Sequence, residues 1–178
     1  RPRRCAQIRR AGRLLGLSPF EIRLLQYAGA LHDAGMVLVD PDVVLKPTPL
    51  DLDERDHIDR HPQRGLDLLG PLVALPQLRE IIRHHHERVD GSGYPEGRRG
   101  EDIPLGARIL AVVDAFFAMI HSRPWREGRP MAEAVAELQR HTGSQFDPRV
   151  VEAFLVVLLE EGLLPEPTIP PVGGGPRR

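Results

Sequence analysis

The sequence predicts an all-α protein, and two of its features lead to that prediction. Apolar residues recur at helical spacing along almost the whole chain of 178 residues, and no segment alternates apolar and polar residues as a half-buried strand would. Prolines and capping residues also stand where helices begin. We expect a bundle of about seven helices formed by residues 1–164, followed by a disordered tail over residues 165–178, which is rich in proline and glycine.

The first half of the chain is divided by residues that start helices. Ser18 and Pro19 form a typical N-cap and first turn, and Asp51 and Pro62 start two further segments in the same way. The predicted elements are a helix to about Leu17, a helix over residues 18–33, an ordered loop over 37–50, and short helices over 51–61 and 62–70.

The second half of the chain alternates helices with longer connections. Residues 87–103 are rich in glycine and charge, which predicts a long loop. Pro104 opens a very apolar helix, and Asp147 caps the last helix. The predicted helices of this half cover residues 76–86, 104–121, 131–141 and 148–161.

Composition excludes several classes of protein. Cys5 is the single cysteine, so neither a disulfide framework nor a zinc ribbon is expected. No apolar run reaches the roughly 20 residues of a membrane span. The net charge of -1 does not predict general nucleic-acid binding. We therefore expect a cytoplasmic protein, and the start at Arg1 predicts that the chain is a piece of a longer one.

Histidines provide the strongest functional signal in the chain. His32 lies on the apolar face of its predicted helix, and His61 lies on that of a later short helix. In the run of three histidines at 84–86, His85 and His86 continue a buried stripe, whereas His84 falls on the solvent side. Histidines therefore converge on the core from several helices.

Two aspartates accompany these histidines. Asp33 directly follows His32, and Asp114 interrupts a helix that is otherwise apolar nearly all round. A buried carboxylate is destabilising by several kcal/mol unless a cation or hydrogen bonds compensate it. Three other histidines do not lie on a predicted apolar face and are expected at the surface: His57, His121 and His141.

Neutral imidazoles and carboxylates together form a nitrogen and oxygen ligand set for a pair of divalent ions. A single inward histidine is usually a hydrogen-bonded core residue, but inward histidines and aspartates from four helices favour a metal site. Because no thiolate belongs to the set, iron or manganese is favoured over structural zinc. The candidate metal ligands are His32, Asp33, His61, His85, His86 and Asp114.

Five motifs follow one another in a characteristic order. They are His32-Asp33-Ala34-Gly35, Arg60-His61-Pro62, His85-His86-Glu87, Asp90-Gly91-Ser92-Gly93-Tyr94-Pro95 and the run over residues 103–114. In order and spacing they resemble the HD-GYP family, a bacterial branch of the HD-superfamily phosphohydrolases whose best-known members hydrolyse cyclic di-GMP. The likeness continues through residues 122–126 and 143–148, so it covers about residues 14–155.

The resemblance implies roles for the matching residues. The six candidate ligands match the metal ligands of the family, and Asp33, with His32 beside it, matches the catalytic carboxylate that bridges two metals. Arg123 and Arg126 match cationic positions near the substrate phosphates and guanine. The loop that names the family is matched by Gly93, Tyr94 and the rest of residues 90–97. In the family this loop shapes the substrate site and contacts partners such as diguanylate cyclase domains. The alternative is that these residues form a turn that merely joins helices.

Three positions depart from the pattern of the family. Met36 stands where the family usually has a lysine that contacts a substrate phosphate, and Phe117 stands where it usually has a second aspartate. Lys46 and the two arginines compensate only if the fold brings them near the site. The family's histidine of the first helix falls at Arg1 or before it, so a third metal is not expected.

The resemblance implies a metal-dependent phosphodiesterase with two divalent ions, iron or manganese, that opens cyclic di-GMP to linear pGpG and on to GMP. One alternative is a module that keeps its metals, has weakened or lost turnover, and binds cyclic di-GMP or a protein; Met36 and Phe117 favour it. Another alternative is an HD phosphohydrolase acting on a different nucleotide. An upstream sensory or receiver domain, common in the family, is a further expectation.

Overall fold

The computed structural model describes residues 2–122 and 127–164, and the predicted all-α class is confirmed in them. The tail and the positions of Arg123 and Arg126 lie outside the described residues. The α-helices are α1 (Pro2–Leu14), α2 (Pro19–Leu31), α3 (Pro41–Val44), α4 (Leu52–Asp59), α5 (His61–Leu69), α6 (Pro76–Arg83), α7 (Leu105–Ile120), α8 (Met131–Arg140) and α9 (Pro148–Glu160).

The starts of α2, α4 and α9 follow the capping chemistry expected from the sequence. Ser18 caps α2 by accepting a hydrogen bond from the backbone N–H of Glu21, whose side chain accepts one from the Ser18 backbone in return. Asp51 and Glu54 form the same arrangement at α4. Asp147 caps α9 by accepting from the backbone N–H of Arg149 at 2.8 Å. These bonds satisfy donors that the first turn of a helix leaves free.

The segment expected as an ordered loop over residues 37–50 contains more helix than the sequence predicted. A short 3-10 helix covers Ala34–Leu38, and α3 follows within the same segment. Asp40 caps α3 by accepting from the backbone N–H of Asp42 at 2.9 Å, with Pro41 in the first turn. A cap and a first-turn proline therefore suffice to start one turn of helix inside a stretch that is otherwise poor in helix formers.

Helix α7 forms the centre of the bundle. It contacts α1, α2, α6, α8 and α9, and its residues Ile109, Leu110 and Val113 are fully buried. Burial of such side chains stabilises the fold by about 1.5–3 kcal/mol each. Asp114 follows directly in this apolar helix, so the core itself fixes the position of a carboxylate. In the described part of the chain, no helix is long and apolar enough to cross a membrane.

A close approach of two backbones brings Asp33 to His61. A Cβ atom placed on Gly35 would lie 2.0 Å from the backbone oxygen of His61, and Gly65 faces Gly35 from α5. Because side chains larger than hydrogen do not fit there, the turn after α2 packs directly on the first turns of α5.

Candidate metal centre

The candidate ligands lie where helices begin or end, around the middle of α7. His32 directly follows α2 and Asp33 comes next, His61 starts α5, and His85 and His86 come after α6. Four elements that are distant in sequence therefore present nitrogen and oxygen atoms to one place. His32, His61 and His85 are 2 %, 3 % and 1 % exposed.

Two groups of ligand atoms share one histidine. The ligand atoms of His61, His85 and His86 all lie within 4.8 Å of one another, and so do those of His32, Asp33 and His85. The imidazole rings of His32 and His61 contact the His85 ring at centroid distances of 5.0 and 5.5 Å. The structure thus brings these five predicted ligands together, with His85 in the middle.

Asp114 joins the cluster through His32. The Nε2 atom of His32 lies 3.4 Å from Oδ1 of Asp114 and 3.2 Å from Oδ2 of Asp33. Asp33 spans the cluster, because its other oxygen lies 3.6 Å from Nε2 of His61. The Asp33 side chain is 55 % exposed, so the predicted bridging carboxylate lies at the open edge of the site rather than inside the core.

Backbone carbonyl groups hold two of the imidazoles in one tautomer. The Nδ1 atom of His61 donates to the carbonyl oxygen of Ile58 at 2.9 Å, and that of His85 donates to the oxygen of Ile82 at 2.6 Å. The Nε2 atoms of both rings, which therefore carry the lone pairs, are buried without a hydrogen-bond partner among the described residues. Orphaned acceptors aimed into a cluster of carboxylates fit a divalent cation.

The electrostatics of the cluster place one proton on His32. Burial opposes its charge, but Asp114 and Asp33 outweigh burial and raise the pKa of His32 to about 9. Burial lowers the pKa of His61 and, with help from neighbouring imidazoles, that of His85, and it lowers the pKa of His86 to about 4. Although desolvation opposes it, the hydrogen bond from His32 lowers the pKa of both Asp33 and Asp114. At neutral pH all the other ligands are therefore already in their metal-binding form.

Binding of divalent metal at pH 7 is expected to release about one proton per chain, from His32. Below pH 9 the apparent affinity rises with pH by about tenfold per unit, since the metal must displace that proton. Above pH 9 the release falls toward zero. Calorimetric titration with Mn(II) in two buffers of different ionisation enthalpy, at pH 7 and at pH 9.5, measures the number of protons released. Equal heats in both buffers at pH 7 contradict the prediction.

Arg4 of α1 also reaches the cluster, which the sequence did not predict. Its guanidinium lies 3.0 Å from Oδ1 of Asp114 and 5.3 Å from the centroid of the Phe117 ring. Phe117 is buried against Phe116, at a centroid distance of 5.7 Å. The aromatic residue that replaces the family's second aspartate is thus a core residue and a platform for a cation.

An open cavity of about 400 Å³ adjoins the cluster. His85, His86 and Asp114 form part of its wall, and Arg55 of α4 and Tyr94 line it as well. The guanidinium of Arg55 lies 3.5 Å from Asp59, and its side chain is 67 % exposed. Such a cation next to the cluster suits an anionic ligand.

Neither Lys46 nor Met36 brings a cation to this cavity in the described structure. Nζ of Lys46 lies 2.7 and 2.6 Å from the two carboxylate oxygens of Glu54, and Lys46 is not among the described residues that line the cavity. Met36 is half-buried and does not line the cavity either. Arg55, rather than Lys46, therefore supplies a cation to this wall.

The loop over residues 90–97 folds back onto the histidines. A Cβ atom on Gly93 would lie 2.6 Å from the backbone oxygen of His86, and the Tyr94 ring stacks on the His86 ring at a centroid distance of 4.9 Å. Burial raises the pKa of the Tyr94 phenol above its usual range, so this group stays neutral. The loop is thus part of the wall beside the cluster, as Gly93 and Tyr94 line the same cavity.

A buried carboxylate helps to hold this loop. Glu87 is 3 % exposed and accepts hydrogen bonds from the backbone N–H groups of Glu96, at 2.7 Å, and Arg98, at 3.1 Å. Charge-assisted bonds of this kind are stronger than neutral ones. The sequence motif contained Glu87, but only the fold shows which groups it binds.

The expectation for His84 was wrong. The sequence pattern placed it on the solvent side, but it is fully buried. Helix α6 ends at Arg83, so the helical periodicity used for residues 84–86 no longer applies there. Nδ1 of His84 donates to the carbonyl oxygen of Glu80 at 2.9 Å. Of the three histidines expected at the surface, His121 is exposed, and His57 and His141 are half-buried.

Comparison with known proteins identifies the class to which this fold and cluster belong. The family model described as "HD domain" matches residues 2–150, and the chain belongs to the HD domain family. The chain is 46% identical over 143 residues to the cyclic di-GMP phosphodiesterase response regulator RpfG of Xanthomonas campestris pv. campestris, a match that covers 79% of this chain and 38% of that protein.

Two further relatives come from Vibrio cholerae. The chain is 33% identical over 148 residues to 3'3'-cGAMP-specific phosphodiesterase 2, which covers 82% of this chain and 28% of that protein. The crystal structure of a cyclic GMP-AMP specific phosphodiesterase, V-cGAP3, matches with a TM-score of 0.68 and 25% identity, over 90% of this chain and 44% of that one. The resemblance to HD-GYP proteins is thereby confirmed, and the chain spans less than half the length of these relatives.

Proposed function

We propose that this domain is a metal-dependent phosphodiesterase that hydrolyses cyclic di-GMP to linear pGpG, and by a second cut to GMP. The observation that carries the proposal is the pair of ligand groups sharing His85 next to a cavity of about 400 Å³. Relatives named as cyclic di-GMP phosphodiesterases support the substrate. Such a substrate, a bacterial second messenger, also supports a cytoplasmic location.

The cluster suits two divalent ions, with iron or manganese favoured by its nitrogen and oxygen donors. His61 and His86 would hold one ion, and His32 and Asp33 the other, with Asp114 beside His32; the single free nitrogen of His85 would serve one of the two. When bound, the ions supply a water of lowered pKa and offset negative charge on the phosphoryl oxygens. Asp33 spans both groups, in keeping with a bridging and catalytic role for it and His32.

The chain's own side chains would orient the substrate. Arg55 offers a charged donor to a phosphate at the cavity wall, and the Tyr94 ring, fixed on His86, limits access of bulk water from one side. Substrate binding by Arg123 and Arg126 stays a prediction, as both lie outside the described residues. Residues 90–97 also stay the predicted surface for a diguanylate cyclase-type partner.

The decisive test is product analysis with the chain reconstituted with Fe(II) or Mn(II). We expect cyclic di-GMP to disappear and pGpG to form, and EDTA to stop the reaction. Chromatography separates substrate, linear dinucleotide and GMP. No product from a chain that holds two metals would contradict the proposal.

A module that binds without turnover is the second candidate. Met36 does not line the cavity and Lys46 is held by Glu54, so neither of these two residues makes the phosphate contact of the lysine usual in the family. Tight binding of cyclic di-GMP without product in the same experiment would favour this candidate.

A further inference from the structure

A second cavity lies beside the candidate metal centre, between α7 and α8. It has a volume of about 310 Å³, which is at the lower end of the range for small-molecule sites. Ala115 and Gln145 line both this cavity and the larger one at the metal cluster. The two spaces are therefore neighbours that meet across these two side chains. We call the second space the α7–α8 cavity.

Helix geometry places the α7–α8 cavity within reach of a ligand bound at the cluster. Asp114 faces the cluster, and Ala118 and Met119 line the second cavity about one turn further along α7. Asp114 and Met119 are separated by about 7.5 Å along the helix axis, at 1.5 Å per residue. A nucleotide whose phosphate lies next to Asp114 can therefore extend its base past Ala115.

The lining of the α7–α8 cavity suits a purine. Met119 and Phe146 provide apolar surface, and Phe146 is only 4 % exposed. Arg129 provides the charged donor, and its backbone N–H donates to the carbonyl oxygen of Met119 at 2.8 Å, which fixes its position at the rim. Glu137, His141 and Gln145 also line the cavity, and apolar surface with a few convergent polar groups is the usual composition of a ligand pocket.

The guanidinium of Arg129 is held near the cavity but has donors to spare. Among the described residues its ion-pair partner is Glu137, whose carboxylate oxygen lies 3.8 Å away, beyond hydrogen-bond distance. Glu137 itself is bound by Arg140 and lies 3.2 Å from Nε2 of His141. A planar guanidinium with free donors matches the O6 and N7 acceptors of guanine, whereas adenine offers an amino donor at the same edge.

We propose that the α7–α8 cavity binds a guanine base of the cyclic dinucleotide and that Arg129 reads its O6 and N7 atoms. This inference rests on the proposed function, since it names how the same site selects its substrate. One guanine base suffices to fill the cavity. Cyclic di-GMP and 3'3'-cGAMP each carry such a base, whereas cyclic di-AMP does not. The requirement for a guanine therefore lies in Arg129 rather than in the metal ligands.

Replacing Arg129 with glutamine tests this directly. Glutamine pairs with the N6 and N7 atoms of adenine, so R129Q is expected to lower the ratio of kcat/KM for cyclic di-GMP over cyclic di-AMP by about ten- to a hundredfold. Hydrolysis of bis(p-nitrophenyl) phosphate, which has no base, stays unchanged. The matched control is R140Q. Arg140 binds the same Glu137, but its side chain is 67 % exposed and does not line the cavity in the described structure. The ratio of kcat/KM for the two cyclic dinucleotides is therefore expected to stay as in the unaltered chain.

Equal losses for all three substrates in R129Q, or an unchanged ratio, would overturn the role of Arg129. Equilibrium dialysis of the two cyclic dinucleotides separates this failure from failure of the proposed function. If the unaltered chain binds cyclic di-GMP without hydrolysing it, the phosphodiesterase proposal fails. A guanine-to-adenine binding ratio that falls in R129Q and not in R140Q still upholds the cavity.

Discussion

Replacing His85 with alanine is expected to abolish hydrolysis, with a loss of at least about a thousandfold in kcat/KM. The reason is that His85 lies within ligand distance of both groups, so its loss removes a central nitrogen ligand of the centre. The metal content should fall from two ions to at most one per chain. Product chromatography measures the first quantity, and metal analysis after gel filtration measures the second, independently of turnover.

His121 offers the matched control for this substitution. It is exposed and lies outside both ligand groups and the metal-side cavity, so His121→Ala should keep full metal content and rate. Asp33→Asn provides a second variant with little effect on packing, because the Asp33 side chain is half-exposed. This variant should also lose most of the rate of cyclic di-GMP hydrolysis. Full, metal-dependent turnover in His85→Ala would refute the assignment of the centre.

Replacing Arg108 with methionine is expected to lower the free energy of unfolding by about 3–5 kcal/mol. Arg108 of α7 and Asp147, the cap of α9, form an ion pair in which the two residues are 8 % and 5 % exposed. Losing the arginine leaves a buried carboxylate without its cation. Urea unfolding followed by circular dichroism gives the change.

A surface pair at the same helix start serves as the control. Arg149 pairs with Glu101 at 2.9 Å, and the two side chains are 62 % and 81 % exposed, so Arg149→Met should change stability by about 0–1 kcal/mol. The double variant Arg108→Met/Asp147→Asn keeps an oxygen for the helix cap but removes the unpaired charge. It should recover part of the loss. Equal midpoints for Arg108→Met and Arg149→Met would show that the buried pair is not stabilising.

Much of the candidate centre could be predicted because its residues obey local rules. Helical spacing placed His32 and His61 inside, and an isolated carboxylate in an apolar helix marked Asp114. His84 was misplaced, because a helix end removes the periodicity on which the prediction depended. Its neighbours His85 and His86 reach the cluster from a turn rather than from the end of a helix.

The cations around the centre could not be predicted, because their positions depend on contacts between distant segments. Arg4 and Asp114 are 110 positions apart in the sequence, and only the packing of α1 on α7 brings them together. Arg55 stands on an exposed helix whose pattern gives no reason to single it out. Charge on a helix surface is too common to indicate a site without the fold.

The way Glu87 holds the loop after His86 bears on how this family diversifies. The carboxylate binds two backbone N–H groups, those of Glu96 and Arg98, so the bonds do not depend on which side chains stand at these positions. Any residue except proline can be substituted at 96 or 98 and still donate. The anchoring of the loop by Glu87 therefore tolerates sequence change at these two positions, while Tyr94 keeps its place against His86. The backbone, rather than the side chains it carries there, encodes the attachment of the loop to the centre.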